Sequence, residues 1–290
     1  MRPTILLATC ETVPGLSPSD SVLARALEEE GIEAAAAIWS RDDVAWASAS
    51  AVILRSCWDY HRRPSEFVEW LDGLERQRIV VWNPIAWVKA TMTKTYLLDL
   101  LRSGWPVVPT TLVRGGTIVD PRQFDGSPEV VVVKPLIGAS AYRNSLVRAD
   151  APRRVDDDML VQPFLAEITK GEWSVIAMDG RITHTVLKTP AADDYRVQRD
   201  HGGSAVVGSP PAAVTQLADQ ILRSYLTPDI LYARIDIVMT GGGPLLMEVE
   251  LIEPELFFEL APAAAGAMAR AVVARVETTG PPRWLRQESR

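Results

Sequence analysis

Short apolar runs and amphipathic stretches alternate along the first 85 residues. The run Thr4–Thr9, after a proline, predicts a buried strand. Residues 21–30 read as a helix ended by Gly31. Residues 34–39, 51–55 and 79–82 are further strand-like runs. Segment 64–77 opens on a proline and lines Phe67, Trp70, Leu71 and Leu74 along one helical face. Strands alternating with helices imply a parallel sheet with crossovers, a Rossmann-like α/β unit. No Gly-x-Gly-x-x-Gly follows the first strand, so a dinucleotide site is not supported.

The pattern then changes. Residues 91–103 predict a helix closed by Gly104, and 107–113 a strand. Residues 129–134 form a β-branched run ending in Lys134, followed by a small-residue loop at 137–141 and a strand at 159–164. Glu172–Met178, the turn Asp179-Gly180 and 181–187 give a strong hairpin signal. A helix at 210–226 precedes a second hairpin, with strands 232–239 and 245–251 around glycines 241–243. The alanine-rich segment 261–276, interrupted by Arg270 and Arg275, reads as a packed surface helix. The polar end, 283–290, is expected to fray.

The second hairpin carries the densest chemistry. Residues two apart in a strand share a face, so Arg234 and Asp236 point one way, while Ala233, Ile235 and Ile237 point to the core. On the return strand Glu248 and Glu250 share a face, with Met247, Val249 and Leu251 opposite. A loop centred on Gly242 places Asp236 across from Glu248 and Arg234 across from Glu250. Opposed like charges destabilise a sheet, and hard cations such as magnesium relieve that cost. A solvated strand face with Arg234 neutralising the acids would look the same.

Lys134 closes a buried strand, and Gly138-Ala139-Ser140-Ala141 behind it would let backbone amides approach an anion. The spacing is not that of a Walker A loop. A solubilising lysine on an edge strand is the plainer reading. The segment Arg55-Ser56-Cys57-Trp58-Asp59-Tyr60-His61 directly follows a parallel strand, where open α/β sheets bind ligands. Its polar and aromatic groups suit a substrate loop. His61, His184 and His201 share no metal-ligand spacing, and Asp156-Asp157-Asp158 reads as a solvated turn.

Composition narrows the field. Of the residues, 47% are apolar and 23% charged, which permits a large core. The net charge of −7 argues against a nucleic-acid binder, whose footprint is basic. Two cysteines, Cys10 and Cys57, make no disulfide framework and fit a reducing cytoplasm. No apolar run approaches the ~18 residues of a membrane helix, and residues 1–10 lack the features of a secretion signal.

Taken in order, these pieces resemble the ATP-grasp superfamily, which includes glutathione synthetase and D-alanine–D-alanine ligase. Asn83-Pro84 with Thr93-Lys94 looks like the first nucleotide lysine. Val133-Lys134-Pro135 with Gly138, Ala139 and Ser140 looks like the second lysine and the phosphate-covering loop. Val161-Gln162-Pro163-Phe164-Leu165 resembles the hinge that meets adenine, and Gly171-Glu172-Trp173-Ser174 the segment whose glutamate holds ribose. Arg234-Ile235-Asp236 with Glu248-Val249-Glu250 is similar to the catalytic arginine and magnesium ligands. Glu250 stands where the family often has asparagine.

The resemblance implies an α/β ATP-grasp fold: a Rossmann-like substrate domain (1–88), a small central lobe (89–163) and a C-terminal lobe with the metal site (164–290), the two lobes sandwiching ATP. Arg55 to Tyr60, Tyr195-Arg196-Val197-Gln198 and His201-Gly202-Gly203 most resemble the cycloserine synthetase group, the O-ureido-D-serine cyclo-ligases. The implied cofactors are ATP and two Mg2+, with Mn2+ able to substitute. Lys94 and Lys134 would hold phosphates, helped by Lys188 and Arg196. Arg234, with Lys134, would be catalytic. Arg55, Ser56, Trp58, Asp59, Tyr60 and Arg196 would meet a small amino-acid-like substrate, Asp59 taking its ammonium. An intermolecular ligase, an ATP-binding regulator without turnover and a phosphotransferase on the same scaffold remain open, as does a homo-oligomer.

Overall fold

The computed structural model describes residues 2–279; the end expected to fray, 283–290, lies outside them. Strands β1 (Thr4–Thr9), β2 (Glu33–Ile38), β3 (Ala51–Ser56) and β4 (Val81–Trp82) form a parallel sheet in the order β2-β1-β3-β4. Alternation sorts its two faces. Ile5, Leu7 and Ile53 pack with Leu23 and Leu27 of α1 (Pro18–Glu29), whereas Val52 and Leu54 pack with Phe67, Leu71 and Leu74 of α2 (Pro64–Arg76). Helix α1 starts three residues earlier than its apolar pattern implies. Ser17 accepts the Asp20 amide at 3.1 Å and Pro18 opens the first turn, a cap worth about 1 kcal/mol.

The helix expected at 91–103 is two helices, α3 (Ile85–Met92) and α4 (Tyr96–Arg102). Between them Thr93 is extended, and the Lys94 amide donates to Leu136 O at 2.8 Å. β-branched Thr93 and Thr95 flank the break, their hydroxyls 2.9 Å apart. The interruption lets Lys94 reach across the molecule.

Strands β5 (Thr111–Val113), β7 (Val130–Pro135), β8 (Ser145–Arg148) and β10 (Met159–Pro163) form an antiparallel sheet ordered β5-β10-β7-β8, beside a ribbon of β6 (Ile118–Val119) and β9 (Arg153–Arg154). Val131, Val133, Val147, Met159 and Val161 make its core. The strand expected at 107–113 is shorter, because Pro106 and Pro109 interrupt it. Val107 instead pairs with Leu246, and Val108 N donates to Leu246 O.

The third sheet is antiparallel: β11 (Glu172–Met178), β12 (Arg181–Thr189), β13 (Ser204–Val207), β14 (Tyr232–Thr240) and β15 (Gly243–Glu250), in the order β13-β12-β11-β14-β15. One face meets α5 (Ala212–Ser224) through Val175, Ala177, Ala233, Ile235 and Ile237. On the other face Met178 and Tyr232 pack against the first unit, whereas Glu172, Ser174, Arg234 and Asp236 lie toward the opposite end. Helix α6 (Pro262–Thr279) returns to pack Ala265, Met268 and Val272 with α1, so the core of the first unit includes the end of the described chain. Among the described residues no helix is long and apolar enough to cross a membrane.

Candidate active site

Register builds the site. Asp236 pairs with Glu248 and Arg234 with Glu250, as the hairpin reading expects, but the route differs. The turn is the tight pair Gly241-Gly242, with Thr240 opposite Gly243. Continued unbroken, that register would set Asp236 opposite Met247 and turn Glu248 to the core. A bulge between Asp236 and Ile237 restores the pairing by one residue. It also turns Met247, expected in the core, toward the site, and Leu246 takes its core place.

A cavity of about 370 Å3 lies over this face. The third sheet contributes Glu172, Lys188, Arg234, Asp236, Glu248 and Glu250. Lys134 and the loop Gly138, Ala139, Ser140 come from the second unit, Lys94 from the break between α3 and α4, and Trp58 and Tyr60 from the loop after β3. Ser140 and Ala141 are both left-handed, with φ of 47° and 56°, conformations that cost roughly 1–3 kcal/mol each in non-glycine residues. Tyr142, at the end of this loop, packs against His61 with ring centres 4.7 Å apart and the planes tilted by 52°.

The charges form a chain. Arg234 donates to Asp236 at 3.0 Å through Nη2, and also to Glu250. Lys188 bridges Glu172 at 2.5 Å and Asp236 at 3.1 Å, while Ser174 donates to Asp236 at 2.5 Å. Lys94 pairs with Glu248. Burial works to raise the Asp236 carboxyl, but Arg234 and Lys188 outweigh it and hold Asp236 well below the usual carboxylate range. Burial pushes Glu250 up to about 8, Arg234 opposing and Glu248 adding. Lys134 has no hydrogen-bond or ion-pair partner among the described residues, and burial lowers its pKa.

The acids are all carboxylates, the hard oxygen donors that suit magnesium. Asp236, Glu248 and Glu250, expected as one metal site, share this face and line the one cavity, but they are not gathered into a cage. Among the described residues no three His, Cys, Asp or Glu side chains are arranged to hold a metal ion. Each acid on this face is held by a cation instead. The donor chemistry fits a magnesium ion, which Glu248 and Glu250 would hold if Lys94 and Arg234 paired with another anion.

Two family models match. Residues 105–264 match "Prokaryotic glutathione synthetase, ATP-grasp domain", and residues 5–83 match "D-cycloserine synthetase DcsG, N-terminal domain". The first spans more than half of the chain. The chain belongs to the ATP-grasp ligases. The ligase is 28% identical over 284 residues to the cycloserine biosynthesis protein DcsG of Streptomyces lavendulae, covering 88% of this chain and 93% of the relative. It is 30% identical over 157 residues to a probable alpha-L-glutamate ligase of Shewanella pealeana, covering 52% of this chain and a third (33%) of that relative. The crystal structure of D-cycloserine synthetase DcsG superposes with a TM-score of 0.78 at 23% identity, covering 94% and 99% of the two chains. That of D-alanine–D-alanine ligase from Bacillus anthracis gives 0.63 at 16%, covering 96% and 98%. Family membership makes this an ADP-forming carboxylate–amine ligase; the family uses ATP and magnesium.

Several expected contacts lie elsewhere in the ligase. Arg55 is buried, 2% exposed, and its Nε donates to Asp20 at 2.7 Å, while Ser56 donates to the other Asp20 oxygen at 2.6 Å. Asp59 accepts Trp39 Nε1 at 2.7 Å and Arg63 Nη2 at 2.9 Å. Arg55, Ser56 and Asp59 therefore brace the fold and do not line the cavity, because buried polar groups take the nearest partner. Arg196 is clamped on Asp194 at 2.7 Å, though its neighbours Val197 and Gln198 reach the cavity. Gln162, Pro163, Phe164 and Leu165 also stand outside the lining. Gln162 donates to Thr110 at 2.9 Å and Phe164 N to Val130 O at 3.1 Å, while Phe164 and Leu165 share an apolar cluster with Met247 and Val197, which do line it.

Sequence reading missed Glu253 and Glu255, which line the cavity just beyond β15. Burial pushes the Glu253 carboxyl up to about 7, although Arg234 and Lys94 oppose it. The signal was faint: Leu251-Ile252-Glu253-Pro254-Glu255 has strand-like apolar residues followed by proline, which marks only an end. In the sequence Asn83 stands out only as part of a motif. It is fully buried and clamps two segments, donating to Tyr232 O and Leu251 O and accepting from Leu231 N.

Proposed function

We propose that the ligase closes a ring within one small amino-acid substrate, converting O-ureido-D-serine to D-cycloserine. The supporting observation is that the cavity that holds the lysines is also lined by Trp58 and Tyr60, on the loop of the unit that matches the DcsG N-terminal family. Residues 1–88 act as the substrate domain, 89–163 and 164–290 as the two nucleotide lobes.

A free carboxylate resists nitrogen attack because oxide is a poor leaving group. Transfer of the γ-phosphoryl group to it makes an acyl phosphate, whose leaving group is phosphate. The protein's share is positioning and charge stabilisation. Lys94, Lys134 and Lys188 hold the phosphates, and Gly138, Ala139 and Ser140 cover them. Met247, backed by Phe164 and Leu165, would border the base. Arg234, whose fork already grips two carboxylates, faces the transferring phosphoryl group and then the oxyanion of the tetrahedral intermediate. Glu248 and Glu250, with Asp236 behind them, would hold two magnesium ions, which neutralise phosphate charge when bound.

The nitrogen bonded to oxygen in the ureido group forms the new C–N bond as phosphate departs. The carbamoyl group is lost by hydrolysis as carbon dioxide and ammonia. The sum is O-ureido-D-serine, ATP and water giving D-cycloserine, carbon dioxide, ammonia, ADP and phosphate. The α-amine is untouched.

A screen of amino acids and analogues for ADP release, with mass detection of products, tests this reading. O-Ureido-D-serine should give ADP and cycloserine. A stable phosphorylated product would mark a phosphotransferase, and absence of ADP with every candidate a regulator. The match to a probable alpha-L-glutamate ligase favours one competing reading, intermolecular ligation, in which ADP release requires a second amine.

A further inference from the structure

With Asp59 committed to Trp39 and Arg63, the substrate ammonium lacks its expected anion. Of the other carboxylates that line the cavity without a cation, Asp200 is exposed and Glu255 accepts the Phe257 amide at 3.1 Å, which leaves Glu253 placed to serve. Glu253 lines the cavity and is only 8% exposed. Among the described residues its carboxylate has no hydrogen-bond or ion-pair partner, whereas Glu172, Asp236, Glu248 and Glu250 each have a cation. Its backbone is fixed from the substrate loop: Trp58 Nε1 donates to Glu253 O at 3.2 Å and Arg55 Nη2 to Pro254 O at 2.9 Å. The buried pair of Arg55 with Asp20 thus holds in place the segment that carries Glu253.

An unpaired buried carboxylate is costly, and a rigid one in a cavity is a site for a cation. We propose that Glu253 is the anchor for the α-ammonium of the substrate, so that the site selects small amino acids with a free protonated amine. This rests on the reading that the cavity takes an amino-acid substrate. The chemistry agrees with it. In ring closure the α-ammonium is a spectator, present in substrate and product alike, and one fixed anion can hold it throughout. An amine that had to attack would need to lose its proton, which such a partner opposes.

The test compares O-ureido-D-serine with its des-amino analogue, 3-(ureidooxy)propanoate, in full-length wild type, Glu253→Gln and Glu253→Asp, with the KM for ATP measured alongside. Wild type should prefer the amino compound by ~100-fold in kcat/KM, since a site built to pair a charge rejects the analogue lacking it. Glu253→Gln should raise the KM for the amino compound by at least ~30-fold, leave kcat within ~3-fold and the KM for ATP unchanged, and abolish the preference. Glu253→Asp should restore part of it. Equal use of both compounds by wild type overturns the proposal whatever the variants do, and so does a Glu253→Gln enzyme that keeps the preference. If O-ureido-D-serine elicits no ADP, the ring-closing reading fails separately. The same comparison, made with the amino acid that does elicit ADP and its des-amino form, then decides the anchor. ADP release by no amino acid overturns both.

Discussion

Lys94 and Glu248, 154 residues apart in sequence, form an ion pair over the face that carries Asp236 and Arg234. Burial works to lower the lysine's pKa, but Glu248 raises it, so Lys94 is held charged. The pair joins the break between α3 and α4 to β15. In the proposed reaction it has to open, the ammonium going to phosphate and the carboxylate to magnesium. Glu248→Gln should therefore lower magnesium-dependent ADP formation by ~100-fold or more while the protein stays folded, in line with the loss of one preorganised charge in a site. Full turnover in that variant would remove Glu248 from the machinery.

Lys134 behaves differently because it has no partner to lose. Lys134→Met keeps the apolar stem and removes a buried, unpaired ammonium. Its thermal midpoint should hold or rise, while ATP affinity falls at least ~10-fold, about 1.4 kcal/mol. Calorimetric titration with ATP and a thermal melt check both halves, and unchanged affinity would place the phosphates elsewhere.

The acid cluster should make the metal-free protein less stable as pH rises from acid to neutral. Burial pushes Glu250 up to about 8, well above its ordinary value of 4.5. A group whose folded pKa is raised contributes stability below its unfolded pKa, and that contribution is lost as pH rises through the folded one. The thermal midpoint without metal should accordingly fall as pH rises from about 4.5 to about 8 and level off above it, and Glu250→Gln should flatten the decline. A wild-type midpoint that holds steady across this window would argue against a protonated Glu250.

Asp59 and Arg55 should act on stability and not on substrate. Asp59→Asn should leave the substrate KM within ~3-fold, because Asp59 sits between Trp39 and Arg63. Asp20→Asn strips a buried arginine of its counter-charge and should destabilise the fold by about 3–5 kcal/mol. Denaturant melts and steady-state kinetics separate the two effects. A large KM change in Asp59→Asn would return it to the substrate site.

What could be read from sequence was what local periodicity encodes. The shared face of Arg234 and Asp236 and the pairing of Asp236 with Glu248 follow from a period of two, and Lys134 at a strand end from the β-branched run before it. The bulge after Asp236 could not be read, because two errors cancelled: the turn is a residue shorter than supposed, and the bulge adds it back. Partners across units were equally hidden. Nothing in residues 55–59 says that Asp20 and Trp39 claim their polar groups first. Glu253 was silent for the same reason: its meaning lies in the partner it lacks.

Ring closure within one molecule is the central claim, and product stoichiometry tests it most directly. Purified ligase, ATP, magnesium and O-ureido-D-serine, with no added amine, should yield ADP and cycloserine in a 1:1 ratio by mass detection. ADP that appears only when a second amino acid or amine is supplied, with a linear conjugate as product, would contradict it.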